Sequence, residues 1–356
     1  MRNSGPGLRK LRQRREKIAA AALFATATAL SLFAAEAVAR LSPRYALSSF
    51  VQDFKPPLKD HPAYRSDALL GYAHMPNALT SMNSRTNSLG LVNPDYPLRK
   101  APGTVRLLVI GDSITEDGRY TAELERLLNE GASSGRFEVW NAGVGGYNVV
   151  QYARLLESAG LGYDPDLILI GFCLNDFTYE IPVFYRDANQ ATVYAYEPQP
   201  NKGLTYDMRP WAQRLLSPWL LRHSALYRMA LTLLHSRLAE SSSLLDSWRR
   251  MGDVQVRRIQ ELASARKIPV AAVVFPYLMR EDELPRSWRM ERRVMTSVLN
   301  AARLPWLDLA TVFDGANPAD WRLFPDTAVH PSKAGQLAAG RAIYAFVKNL
   351  GWTQTR

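Results

Sequence analysis

A single cysteine among 356 residues, Cys173, excludes an intrachain disulfide, and its place in an apolar run makes it a buried, inert thiol. Histidine is scarce too. His61, His74, His223, His235 and His330 include no pair at metal-ligand spacing, so neither a metal nor another cofactor is expected. Basic residues are plentiful, but they are missing where a nucleic acid would need them. Of the net charge of +11, Arg2, Arg9, Lys10, Arg12, Arg14, Arg15 and Lys17 against Glu16 put +6 into the first 17 residues. The other 339 residues carry only +5 with no basic concentration, which argues against a nucleic-acid partner. No internal repeat is visible. With 47% hydrophobic residues the chain can bury one large core, or a domain plus extras.

Long hydrophobic runs are also few, and one stands out. Ile18 to Ala35 holds 18 residues without a charge, directly behind the basic cluster. As a helix it reaches roughly 27 Å, the low end of what spans a bilayer. The basic side should stay cytoplasmic, placing the chain after residue 40 on the outer, periplasmic or extracellular, face of the membrane. Ala37-Val38-Ala39 has the form of a signal-peptidase site, but so long an apolar core favours an uncleaved single-pass anchor. A soluble core helix is the remaining reading. Glu36 and Arg40, four apart, can pair where the helix leaves the membrane.

Residues 41–104 are rich in Pro, Asn and Ser, and read as a stalk followed by an ordered lead-in. Val105 to Ile110 is a run of strand formers that stops at Gly111 and is followed at once by Asp112 and Ser113. Further strands are expected at 137–140, 166–171, 270–275 and 305–309. Helices are expected at 120–130, 149–158, 251–266, 287–303 and 332–350. This alternation predicts an α/β fold, a parallel sheet of about five strands with helices on both faces. Residues 177–250 interrupt it with a Tyr- and Pro-rich loop and apolar helical patches, read as a lid or substrate-facing subdomain. Its Trp211, Trp219, Leu220, Leu221 and Tyr227 could cover the core or touch a membrane. The chain thus divides into a basic tail (1–17), an anchor or signal segment (18–39), a stalk and lead-in (40–104) and an α/β domain (105–356) carrying the insertion 177–250.

Four segments leave strand ends on one edge of such a sheet, where open α/β folds place their ligands. They carry Ser113, Gly146, Asn175 and His330. A serine hydroxyl needs a base to become a nucleophile, and His330 is the histidine placed for it. Asp326 is the nearest acid to hold the imidazole. The amides of Ser113 and Gly146 and the side chain of Asn175 are donors for an oxyanion. Asp112 is expected to be structural, bonding loop amides, and the other four histidines to sit on the surface or in packing.

Gly111-Asp112-Ser113, Gly146 after Asn141, Gly171…Asn175-Asp176 and Asp326…His330-Pro331 resemble, in order and spacing, the four motif blocks of the GDSL or SGNH hydrolases. The resemblance spans roughly residues 100–350. It implies a flavodoxin-like three-layer α/β/α sandwich, metal-free ester hydrolysis, Ser113, Asp326 and His330 as catalytic residues, and Ser113, Gly146 and Asn175 as the oxyanion hole. The lead-in Asn87-Ser88-Leu89-Gly90 and the apolar helix look like the membrane-anchored or exported bacterial branch. Two spacings depart from the family. Three residues rather than two separate Asp326 from His330, which leaves Asp314 or Asp320 as other carboxylates that could orient the ring, and Gly171 lies further than usual from Asn175. The expected activity is cleavage of an acyl or acetyl ester on a cell-envelope glycan or lipid. An O-acetyltransferase of surface polysaccharide and a catalytically silent glycan-binding module are the alternatives. Oligomeric state is not legible.

Overall fold

The computed structural model describes residues 6–42, 45, 60–67, 69–132, 135–177, 184–186, 192–194, 217–238, 242–280, 282–284, 286–313, 317–323 and 328–353. The first described element is one long helix, α1 (Pro6–Arg40), whose apolar stretch is long enough to cross a membrane. In the lead-in, β1 (Tyr64–Asp67) and β2 (Gly71–His74) form an antiparallel hairpin with Tyr64 opposite His74. Sequence periodicity does not foretell this hairpin. Its strands are four residues each, and only Tyr64, Tyr72 and His74 bury their rings.

β3 (Thr104–Gly111) is the central strand. Leu107 to Ile110 are buried on both faces, as expected of a parallel strand covered by helices on each side. The chain continues through a short helix α2 (Ser113–Glu116), α3 (Arg119–Glu130), β4 (Arg136–Gly143), α4 (Val149–Ser158) and β5 (Leu167–Cys173). Next comes a small two-stranded ribbon, β6 (Phe184–Arg186) with β7 (Thr192–Tyr194). The insertion then forms α5 (Pro218–His223) and α6 (Ala225–Leu238); its residues 195–216, Trp211 among them, lie outside the described residues. α7 (Ser242–Ser264), β8 (Val270–Phe275), α8 (Arg286–Ala301), β9 (Trp306–Asp308), α9 (Ala310–Phe313) and α10 (Lys333–Asn349) complete the chain. α7 starts nine residues earlier than the 251–266 expected from sequence. Leu245, Trp248, Met251, Val256 and Ile259 recur on one helical face, which carries the helix back into the insertion.

The main sheet is wholly parallel, in the order β4-β3-β5-β8-β9. One face packs against α4, α7, α8 and the β1–β2 hairpin, the other against α3 and α10. This is the three-layer sandwich expected from sequence. From β3 the chain goes to β4 on one side and then crosses to β5 on the other. The carboxyl end of β3 is therefore the reversal point of the winding, and Ser113 begins the next helix there.

The opposite end of β3 is held by charge. Arg106 is fully buried, donates to Glu138 through Nε (3.1 Å) and Nη2 (3.0 Å), and lies 4.2 Å over the Trp140 ring. It also donates to the carbonyls of Pro97 (2.9 Å), Leu98 (3.0 Å) and Tyr163 (2.5 Å), tying the lead-in to the sheet. Removing one member of such a pair strands the other charge in the core. Arg106→Ala is expected to lower unfolding free energy by about 3–5 kcal/mol, read by urea denaturation. An unchanged midpoint would refute the role of this pair.

Candidate active site

Gly111 ends β3 because a side chain has no room there. A Cβ would sit 2.8 Å from the Gly171 carbonyl oxygen and well inside contact distance of Thr115 Oγ1. The chain turns, and Asp112 caps α2 by accepting from the Ile114 N–H at 2.9 Å. Asp112 is thus a structural residue of the turn that presents Ser113. Burial pushes its carboxyl up to about 7, with the nearby Glu116 charge adding to the effect.

Ser113 Oγ lies 2.8 Å from His330 Nε2, although the two residues are 217 positions apart. Both are half-buried. The turn carrying His330 is held by the Leu323 N–H donating to the His330 carbonyl (2.8 Å) and the Leu278 N–H donating to that of Ala328 (2.7 Å). Gln336, on the first turn of α10, reaches back to the Ile114 carbonyl at 3.1 Å and so ties the histidine segment to α2. Burial holds the His330 imidazole below its ordinary value of 6.5, and the Glu116 charge partly opposes this. The imidazole is therefore neutral at pH 7 and able to accept a proton.

Asp326 and Asp314 lie outside the described residues, and Asp320 is exposed on a short turn at Pro318–Trp321. His61 caps the start of the lead-in, accepting from the Ala63 N–H at 3.1 Å, and His223 is exposed and stacked on Trp219. The side chain of His235 is outside the described residues.

Gly146 sits in the tight turn after β4, at φ +78°, a left-handed conformation that glycine adopts without strain. The Val144 N–H donates to the Gly111 carbonyl at 3.1 Å, which brings this turn to the end of β3. The preceding residue is clamped at both its amide and its carbonyl. The Gly145 N–H donates to Glu116 Oε2, and the Gly145 carbonyl accepts from the Tyr72 hydroxyl at 2.6 Å. The Gly146 N–H has no partner among the described residues.

Glu116 is the residue that sequence reasoning missed. It is fully buried, and accepts from Ser81 Oγ (2.8 Å), the Met82 N–H (3.3 Å) and the Tyr64 hydroxyl (3.2 Å) while facing His74 Nε2 at 3.2 Å. Burial alone would raise its pKa. The contacts from His74, Ser81 and Gly145 outweigh that and hold it below the usual carboxylate value. Glu116 thus joins the lead-in hairpin, α2 and the Gly146 turn into one buried network. An acid beside a buried histidine 42 residues upstream leaves no local pattern that could have revealed it.

Asn175 follows β5 in a single 3-10 turn, Leu174–Phe177, and is half-buried. Asp176 fixes that turn: its Oδ2 accepts from the Cys173 N–H and from the Tyr152 hydroxyl, both at 2.8 Å. Burial, and then the Asp112 carboxylate, push the Asp176 carboxyl well above the usual range. Two acids are therefore packed beneath the site, and repulsion between them favours keeping one neutral. Cys173 is buried with its thiol pushed up, an inert core residue as expected.

The profile of the GDSL-like lipase/acylhydrolase family matches residues 109–338. No curated protein matches the chain. Similar solved structures include the acetylxylan esterase Axe2 of Geobacillus stearothermophilus, a catalytic mutant at 18% identity and TM-score 0.44, covering 68% of this chain and 94% of that one. They also include the α/β hydrolase LAE5 from the metagenome of Lake Arreo, Spain, at 17% identity and TM-score 0.43, covering 71% and 98%. The lipase/acylhydrolase of Enterococcus faecalis is similar at 16% identity and TM-score 0.42, covering 69% and 96%. With its motif blocks brought to one edge of a flavodoxin-like sheet, the chain belongs to the GDSL-like lipase/acylhydrolase family and is a carboxylic ester hydrolase.

Proposed function

We propose that this protein is a membrane-anchored serine esterase that removes an acyl or acetyl group from a cell-envelope glycan or lipid through a Ser113 acyl-enzyme. The observation that carries the reading is the 2.8 Å contact between Ser113 Oγ and His330 Nε2 at the carboxyl edge of the sheet. Ser113 Oγ bonds to the ester carbonyl carbon as its proton passes to His330 Nε2. The amides of Ser113 and Gly146 and the Asn175 side chain receive the oxyanion. Collapse breaks the bond to the alcohol, which leaves with the proton from His330. Water then gives a proton to His330 and attacks the acyl carbon, releasing the carboxylic acid and Ser113. Asp326 is the carboxylate we assign to hold the imidazolium.

α1 supports the anchored reading, with residues 1–17 as a cytoplasmic tail, 18–39 as the anchor and the hydrolase domain of 105–356 on the outer side. The test is to react the full-length protein with a fluorophosphonate probe, map the adduct by mass spectrometry, and supply an acetylated oligosaccharide. A Ser113 adduct and free acetate are expected. Absence of any adduct in folded protein would refute the enzyme. Acetyl transfer to an added sugar in place of release would reassign it as a transferase.

Because only neutral His330 accepts the serine proton, kcat/KM should fall on the acid side as the ring is protonated. Burial lowers the ring's pKa, so the midpoint of that limb is expected below pH 6.5. A pH–rate profile with p-nitrophenyl acetate checks it, and a midpoint above 6.5 would contradict the electrostatics described here.

A further inference from the structure

The last turn of α1 is not a free tether. Glu36, the first charge after the apolar run, accepts from Ser224 Oγ (2.8 Å), the Ala225 N–H (2.9 Å) and the Leu226 N–H (2.8 Å), which are the opening donors of α6. Arg40 is held by Glu36 at 2.7 Å and donates through Nη2 to the His223 carbonyl, the end of α5, also at 2.7 Å. Beyond α1, Arg228 Nε donates to the Tyr45 carbonyl at 2.7 Å. Ala39, the last residue of the Ala37-Val38-Ala39 sequence, is buried in the same joint. Cleavage there would remove Glu36 and leave the α6 donors unsatisfied.

Around this joint lies exposed apolar surface. Trp219 is 65% exposed and Leu220 36%, beside Val38 and Leu41 at 68% and 82%. α5 has six residues, about 9 Å of rise, so Trp219 stays close to the level at which α1 loses its apolar character. The polar layer of a bilayer adds about 5–8 Å on each side, and tryptophan favours that depth. We propose that the Glu36–Arg40 joint sits at the outer membrane–water boundary, that α1 is retained in the mature protein, and that α5 lies in the lipid headgroup layer with Trp219 and Leu220 as its lipid contacts. The inference rests on α1 being a membrane anchor. It makes part of the insertion a lipid-facing platform that fixes the hydrolase domain against the bilayer surface.

The test uses full-length protein in phosphatidylethanolamine/phosphatidylglycerol nanodiscs. A polarity-sensitive dye is attached in turn at Leu220→Cys, at Leu23→Cys in α1, and at Val254→Cys, an exposed position on α7. Cys173 is buried, so the introduced thiol takes the dye. Spin-labelled lipids are expected to quench the Leu23 label most with the spin deep in the acyl chain. For the Leu220 label, quenching should be strongest with the spin near the headgroup, and several-fold greater than for the Val254 label. A Leu220 label that behaves like the Val254 label while the Leu23 label is quenched would overturn the platform and leave the anchor standing. An unquenched Leu23 label would overturn the anchor and the platform with it. Intact mass of the membrane-extracted protein gives the second reading: a chain beginning at Arg40 refutes retention.

Discussion

Ser113→Ala is expected to lower kcat for p-nitrophenyl acetate by about 10⁴- to 10⁶-fold and to abolish fluorophosphonate labelling, with unchanged folding. The size follows from what the hydroxyl does. In the proposed mechanism it is the atom that forms the acyl bond, and it stands 2.8 Å from His330 Nε2. His330→Ala is expected to fall nearly as far, and the double variant little further, because base and nucleophile act as one unit. Additive losses would show that the two side chains do not work together. Steady-state kinetics, with circular dichroism to confirm folding, decides it. Residual turnover in either variant measures what the oxyanion donors and substrate binding achieve alone.

Glu116→Ala is expected to have the second largest effect, on both stability and rate. It leaves His74 without its carboxylate and the Gly145 amide without its acceptor, inside a buried network. Leaving buried donors without their acceptor costs about 1–3 kcal/mol each. Loosening the turn that presents the Gly146 amide should cost a further factor of about 10²–10³ in kcat, the worth of one oxyanion donor. Glu116→Gln separates the two effects, since it keeps the shape and an acceptor oxygen while removing the charge. That charge raises the His330 pKa, so its removal should move the acid limb of the pH–rate profile to lower pH. A stability loss with an unmoved limb would reduce Glu116 to a packing residue.

Dense local signals made the framework readable. Leu107 to Ile110 ended by Gly111 mark strand, turn and candidate nucleophile together, and Val149–Ser158 and Val270–Phe275 have the bounds their periodicity predicts. Reading failed where structure depends on partners far away in sequence. β1 and β2 pair through four-residue strands, five of whose eight positions are polar or glycine. Glu116 reads as an ordinary acid at the end of a motif until Tyr64, His74, Ser81 and Gly145 close around it. The start of α7 was hidden because Trp248 lies in a stretch of serines and charges that resembles a loop. Ser113, Gly146, Asn175 and His330 are singled out as candidates by chemistry and order. What their sequence positions could not convey is the scaffolding by Asp112, Asp176 and Gln336.

Ser113 and His330 meet across 217 positions, so their contact forms late in synthesis. Closing so long a loop is slow compared with forming local helices. The contact further depends on α10, which packs against α3 and supplies Gln336 to the Ile114 carbonyl. A nascent chain carries Ser113 early, but His330 cannot be held against it until α10 has been made. On the proposed mechanism, ester cleavage therefore waits for α10 to dock against α3.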